Sequence, residues 1–119
     1  MASLYYTTQE KADRYDAVID VFNAIFKEVK ELGKKKPEAT LSESKIKTIN
    51  RVLVDARQVL EDAPTYKYLD LLDSDDAPQF GDAILVLSQY EGALSTFRAR
   101  HYGWSGSDHE WIIKKGKTK

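Results

Sequence analysis

The chain has 119 residues, 42% hydrophobic and 31% charged, with three prolines and six glycines, a composition that fits one globular domain burying roughly two-thirds of its unfolded surface and excludes wholesale disorder. Its 18 basic and 19 acidic residues cancel to a formal charge of −1, so the total points to neither nucleic acid nor membrane. There is no cysteine, which removes disulfides, thiolate nucleophiles and cysteine-ligated metal centres together.

The opening MASLYYTTQEKADRYD lacks the basic-then-apolar pattern of a signal peptide, and the longest apolar run, Ala83 to Leu87, is far below the ~20 residues that span a bilayer. A cytoplasmic protein without membrane contact is expected. Residues 1–6 read as an N-terminal arm. From Tyr15, apolar side chains recur as Val18, Ile19, Phe22, Ile25, Phe26, Val29 and Leu32, the three-and-four spacing of one helix face. Thr7 and Glu10 form a capping-box pair, which predicts a first helix from about Thr8 to Leu32 ended by Gly33 in the left-handed conformation.

The second helix carries Ile46, Ile49, Leu53, Ala56, Leu60 and Ala63, with Val52 and Val59 widening the stripe. Thr40 and Glu43 make a second capping box that places its start near Leu41, and Pro64 closes it. After the corner EDAPTY, the stretch TYKYLDLLDS predicts a short helix of about two turns. The segment DSDDAPQF then supplies a turn, with Asp75 or Asp76 as the cap of a last long helix. That helix bears Phe80, Ile84, Leu87, Leu94 and Phe97, joined by Ala83, Tyr90 and His101, and runs to about Tyr102. Gly81 and Gly92 inside it read as close packing or simple tolerance.

The tail, residues 103–119, begins with glycine and serine, offers Trp111, Ile112 and Ile113 as an apolar patch, and ends basic. It reads as partly flexible. Trp104 and Trp111 are expected to fold back as a lid over one bundle end, with an exposed anchor for a protein partner as the alternative. No stretch alternates long enough to predict a strand, and no internal repeat appears. The expected fold is all-α, a single domain over residues 1–119, built as an antiparallel bundle of three long helices and one short one with the tail packed on one end.

Short connections would gather the end of the first helix, the start of the second and the end of the last at one pole. Lys27, Lys30, Lys34, Lys35, Lys36, Lys45, Lys47, Arg98 and Arg100 would then face Glu61, Asp62, Asp70, Asp73, Asp75, Asp76 and Asp82 at the other. Lysines around a helix amino terminus are locally unfavourable, yet with its unpaired N–H groups they form a place where an anion is stabilised. Lys30, Lys34, Lys35, Lys36, Lys45, Lys47, Arg98 and Arg100 are therefore the candidate contacts for nucleic acid or a phosphorylated ligand; a solvated loop is the plainer reading.

Chemistry is sparse. DSDDAPQFGD does not match the spacing of a calcium loop. His101 lies in phase with the apolar stripe, Asp108, His109 and Glu110 are adjacent on the tail, and no nucleotide-binding loop, GxSxG or HExxH occurs. No catalytic residue, metal or cofactor is expected. The sequence predicts a non-enzymatic interaction protein, an adaptor, inhibitor or assembly subunit open to forming a homodimer, because seven tyrosines and two tryptophans supply the residue types enriched in interface anchors. The alternative is a binder of nucleic acid or a nucleotide through the basic pole.

Overall fold

The computed structural model describes residues 4–113. It is mostly helical, with α1 (Gln9–Lys35), α2 (Glu43–Val59) and α3 (Phe80–His101) followed by an antiparallel hairpin of β1 (Tyr102–Trp104) and β2 (His109–Trp111). The molecule is elongated, 54 × 28 × 22 Å, because the helices lie side by side. The apolar faces meet as expected: Val18, Phe22, Phe26, Ile46, Ile49, Leu53, Leu87, Tyr90 and Leu94 are all buried in one cluster. α1 packs against both other helices, whereas α2 and α3 barely touch.

The gap between α2 and α3 is filled by residues 60–79, and here the structure departs from the sequence expectation. The stretch TYKYLDLLDS is not a two-turn helix. It holds a single 3-10 turn, Tyr66–Tyr68, then extended chain, then a second such turn at Ser74–Asp76. An extended chain needs partners for its amide groups, and three helix side chains supply them. Arg57 Nη1 donates to the Leu69 carbonyl at 2.8 Å, Tyr90 donates its hydroxyl to the Asp70 carbonyl at 2.9 Å, and Asn50 bonds both the carbonyl and the N–H of Leu72, at 2.8 and 2.9 Å. The register follows from length. The seven residues from Asn50 to Arg57 advance about 10.5 Å along a helix, and the three from Leu69 to Leu72 advance about 10 Å when extended. Leu69 and Leu72 turn into the core between these contacts.

This crossover carries the chain back along α2, so α3 runs parallel to α2 and antiparallel to α1. The start of α3 sits against the α1–α2 loop, with Phe80 N–H on the Ala39 carbonyl, Gly81 N–H on the Pro37 carbonyl and Leu41 N–H on the Pro78 carbonyl. Its end meets the N-terminal arm, where Tyr5 N–H donates to the Arg100 carbonyl. The pole that was to join Arg98 and Arg100 to the lysines therefore does not form.

Caps and ends shift slightly. Thr8, not Thr7, caps α1, accepting from Lys11 N–H; Ser42, not Thr40, caps α2, accepting from Lys45 N–H. Thr7 and Thr40 instead pair with Ile113 and Gln79 as isolated bridges. Gln79 and Asp82 form the capping box of α3, while Asp73 caps the small turn before it. Gly33 does not end α1. It is buried inside the helix, where an ideal Cβ would stand 2.7 Å from Ile84 Cδ1, so a larger residue there would require the end of the Ile84 side chain to shift. Gly92 faces open space.

Removing the Asn50 amide leaves the N–H and carbonyl of buried Leu72 without partners. Asn50→Ala is expected to cost about 2–3 kcal/mol in urea unfolding; a loss below about 0.5 kcal/mol would show that the crossover does not depend on this contact. The Tyr90 hydroxyl is pushed up to about 12 by burial, against the nearby Arg57 guanidinium, which favours ionisation. An unfolded chain loses that proton at about pH 10, so between about pH 10 and 12 the folded state binds more protons and stability falls as pH rises. Tyr90→Phe should show a shallower alkaline decline in urea unfolding; identical slopes in the two proteins would refute the assignment.

Candidate interaction surface

Of the tail, residues 103–111 lie in the β1–β2 hairpin, which begins at Tyr102 and is closed by a turn in which Gly106 takes φ 105°, the conformation glycine adopts without strain. Trp111 lies across Tyr15, Phe97 and Tyr102, with ring centroids 5.1, 5.8 and 5.3 Å away, and its Nε1 donates to Asp16 Oδ2 at 3.2 Å. It forms the lid. Trp104, paired with His109 across the hairpin, is 58% exposed. The two tryptophans therefore differ, one packed on the bundle end and one exposed. Residues 1–3 of the arm and 114–119 of the basic tail lie outside the described residues.

The basic residues are dispersed. Lys34 pairs with Glu31 at 3.4 Å, and Lys30 places Nζ 4.2 Å from the centre of the Phe26 ring. Lys35, Lys36, Lys45 and Lys47 are exposed near the α1–α2 loop, and the crossover brings acids to that same end: Asp73 shares a surface hollow with Lys47, and Asp82 lies in the first turn of α3. At the far end Arg98 stacks on Tyr102 and Arg100 on Tyr5, 4.2 and 4.3 Å from the ring centres. Lys11 holds Glu61 and Asp62 at 3.2 and 3.1 Å there. Burial would lower the Lys11 pKa, but the hydrogen bonds to Asp62 and Glu61 outweigh it and the net shift is upward. Among the described residues each end thus mixes both signs, and the bipolar charge read from the sequence is not found there.

His101 donates Nδ1–H to the Tyr5 carbonyl at 2.7 Å and packs 4.6 Å from Phe97. Its ring ties the arm to α3. Beside it, a hollow of about 510 Å³ lies among Tyr5, Tyr6, Lys11, Asp62, Phe97 and Arg100. Among the described residues no group of three or more His, Asp or Glu side chains is placed to hold a metal ion, and no helix is long and apolar enough to cross a membrane.

The surface feature that sequence reasoning missed lies on the outer side of α2. Val21 of α1, Val54 of α2 and Leu71 of the crossover are 49%, 41% and 39% exposed. Two hollows flank α2 here. One, about 670 Å³, lies between α1 and α2 over Val18, Val21, Ile25, Arg51, Val54 and Asp55; the other, about 590 Å³, lies between α2 and the crossover over Ile46, Lys47, Arg51, Val54, Leu71 and Asp73. They meet at Arg51 and Val54. The sequence signal was Val54 itself, a valine one position beyond the buried stripe that ends the run Val52-Leu53-Val54.

Trp111→Ala should destabilise the protein by about 2–3 kcal/mol, through lost ring contacts and the Asp16 bond. Trp104→Ala should cost less than about 0.5 kcal/mol. Equal losses for both in chemical denaturation would contradict the division between lid and exposed ring. Compared with protein-family models, curated proteins and solved structures, the chain matches none of them.

Proposed function

We propose that the protein is a non-enzymatic interaction module that binds another macromolecule through the outer face of α2. The observation that carries this reading is the continuity of Val21, Val54 and Leu71 across three successive elements, with a hollow on each side of α2. Apolar side chains grouped this way, rimmed by Arg51, Asp55 and Lys47, have the make-up of an interface core with a polar rim. Exposed Trp104 is a second, separate anchor. Nucleic-acid or phosphate binding would have to rest on Lys35, Lys36, Lys45 and Lys47 without Arg98 and Arg100, and beside Asp73 and Asp82; the apolar face is the better supported site.

Val54→Glu and Leu71→Glu place charges at the centre of this face at exposed positions, where stability should change by less than about 0.5 kcal/mol. Used as bait in cell extract, the native chain should retain a partner that each variant retains at least about tenfold less, the loss expected when a charge enters an apolar interface core. Retention that is equal for native and variant baits, with both folded by circular dichroism, would refute the reading. Retention lost only by substitution of Lys35, Lys36, Lys45 and Lys47, and only at low salt, would favour the anion-binding alternative.

A further inference from the structure

The proposal of an interaction face on α2 leaves its occupant open, and the shape and charge of the face narrow it. The two hollows are on opposite sides of α2 and overlap in height: the crossover-side hollow borders the helix from Glu43 to Val54, and the α1-side hollow from Thr48 to Asp55. They meet at Arg51 and Val54. A helix laid over this meeting point at an angle would set its ridge of side chains into the grooves beside α2.

We infer that the occupant is α2 of a second copy, antiparallel about a two-fold axis near Leu53 and Val54. This rests on the interaction reading of the same face. In such a pair each α2 crosses its partner's at Val54 with a hollow on either side, so one face serves both chains, as an isologous contact requires. The exposed ridge of α2 reads Glu43, Lys47, Arg51, Asp55 at intervals of four. Antiparallel pairing centred on residue 53 sets Arg51 against Asp55 of the other copy, twice by symmetry. Sliding the centre to residue 49 would set Lys47 against Arg51 and Glu43 against Asp55, like against like. A centre at residue 45 would also set opposite charges together, Glu43 against Lys47, but lies away from Val54, so charge and apolar contact agree at residue 53, where the two Val54 side chains flank the axis. Among the described residues neither Arg51 nor Asp55 has an ion partner within its own chain, so both are free to take one from the second copy.

Sedimentation of the full chain should show a concentration-dependent dimer that persists at high salt, because Val21, Val54 and Leu71 supply the contact and the ion pairs fix its register. Arg51→Asp and Asp55→Arg each create like-charge contacts at both symmetric positions, and each should raise the dimer dissociation constant at least about a hundredfold. Mixing the two variants restores opposite charge at both positions. The mixture should therefore form a heterodimer that neither variant forms alone, and the double variant R51D/D55R should dimerise like the native chain. A native chain that stays monomeric at millimolar concentration would overturn the inference, as would single variants that dimerise normally or a mixture that stays monomeric. Monomer together with a partner retained through Val54 would overturn only the identity of the occupant and leave the interaction reading in place. Monomer with no Val54-dependent retention would overturn both.

Discussion

The direction of α3 depends on four backbone hydrogen bonds made to the extended chain at Leu69, Asp70 and Leu72. An extended segment beside a helix is unfavourable unless its amide groups are satisfied, since an unpaired buried donor or acceptor costs about 1–3 kcal/mol. Arg57, Tyr90 and Asn50 meet that requirement from two different helices. Arg57 is itself held by the Tyr66 hydroxyl, whose hydrogen bond is the main reason its pKa moves up. The crossover is thus clamped along its length, and the chain must enter α3 at the end where α1 closes and α2 opens. Had the connection been a tight turn, α3 would have run the other way.

That one directional choice sorts the charges. Residues 69–76 bring Asp73 alongside Lys47 of α2, and the end of α3 carries Arg100 to the hollow that Asp62 also lines. Screened surface charges of both signs at each end produce little net field. On the proposed reading recognition falls to contacts of short range, and the exposed apolar side chains Val21, Val54 and Leu71 lie along the side of the molecule.

Periodicity made the helices legible because each buries one stripe: the apolar residues of α1, α2 and α3 that recur at three and four are the ones found in the core. Caps were displaced by one or two positions where Thr7-Thr8 and Thr40 through Ser42 offered more than one oxygen near the helix start. The crossover was not legible from its own residues, since Leu69 and Leu72 at a spacing of three suit a helix as well as an extended chain with a local turn. The signal lay elsewhere, in Asn50 and Arg57, two polar residues seven apart on the inner flank of α2 and half-buried. The hairpin was missed because strands of three residues are too short to alternate visibly. The outer face of α2 was hidden for a related reason: a lone valine beside a buried stripe looks like a wider stripe, and only the placement of Val21 and Leu71 next to Val54 turns it into a patch.

The composition of that patch is itself informative. Two of the segments outside the long helices each cover an opening in the core, the crossover between α2 and α3 and the hairpin, through Trp111, over Tyr15 and Phe97. Among the described residues none covers the outer side of α2 in this way. At exposed helical positions alanine, lysine and glutamate are better helix formers than valine by a few tenths of a kcal/mol, because β-branching restricts the side chain against the preceding turn. Val21 and Val54 therefore weaken their helices slightly while half their surface stays in water. Folding of the isolated chain gains little from either. A second surface packed against them would remove the remaining apolar area from water at about 25 cal/mol per Å², which reverses the balance, and the hollows on either side of α2 leave room for such a surface beside Val21 and Val54.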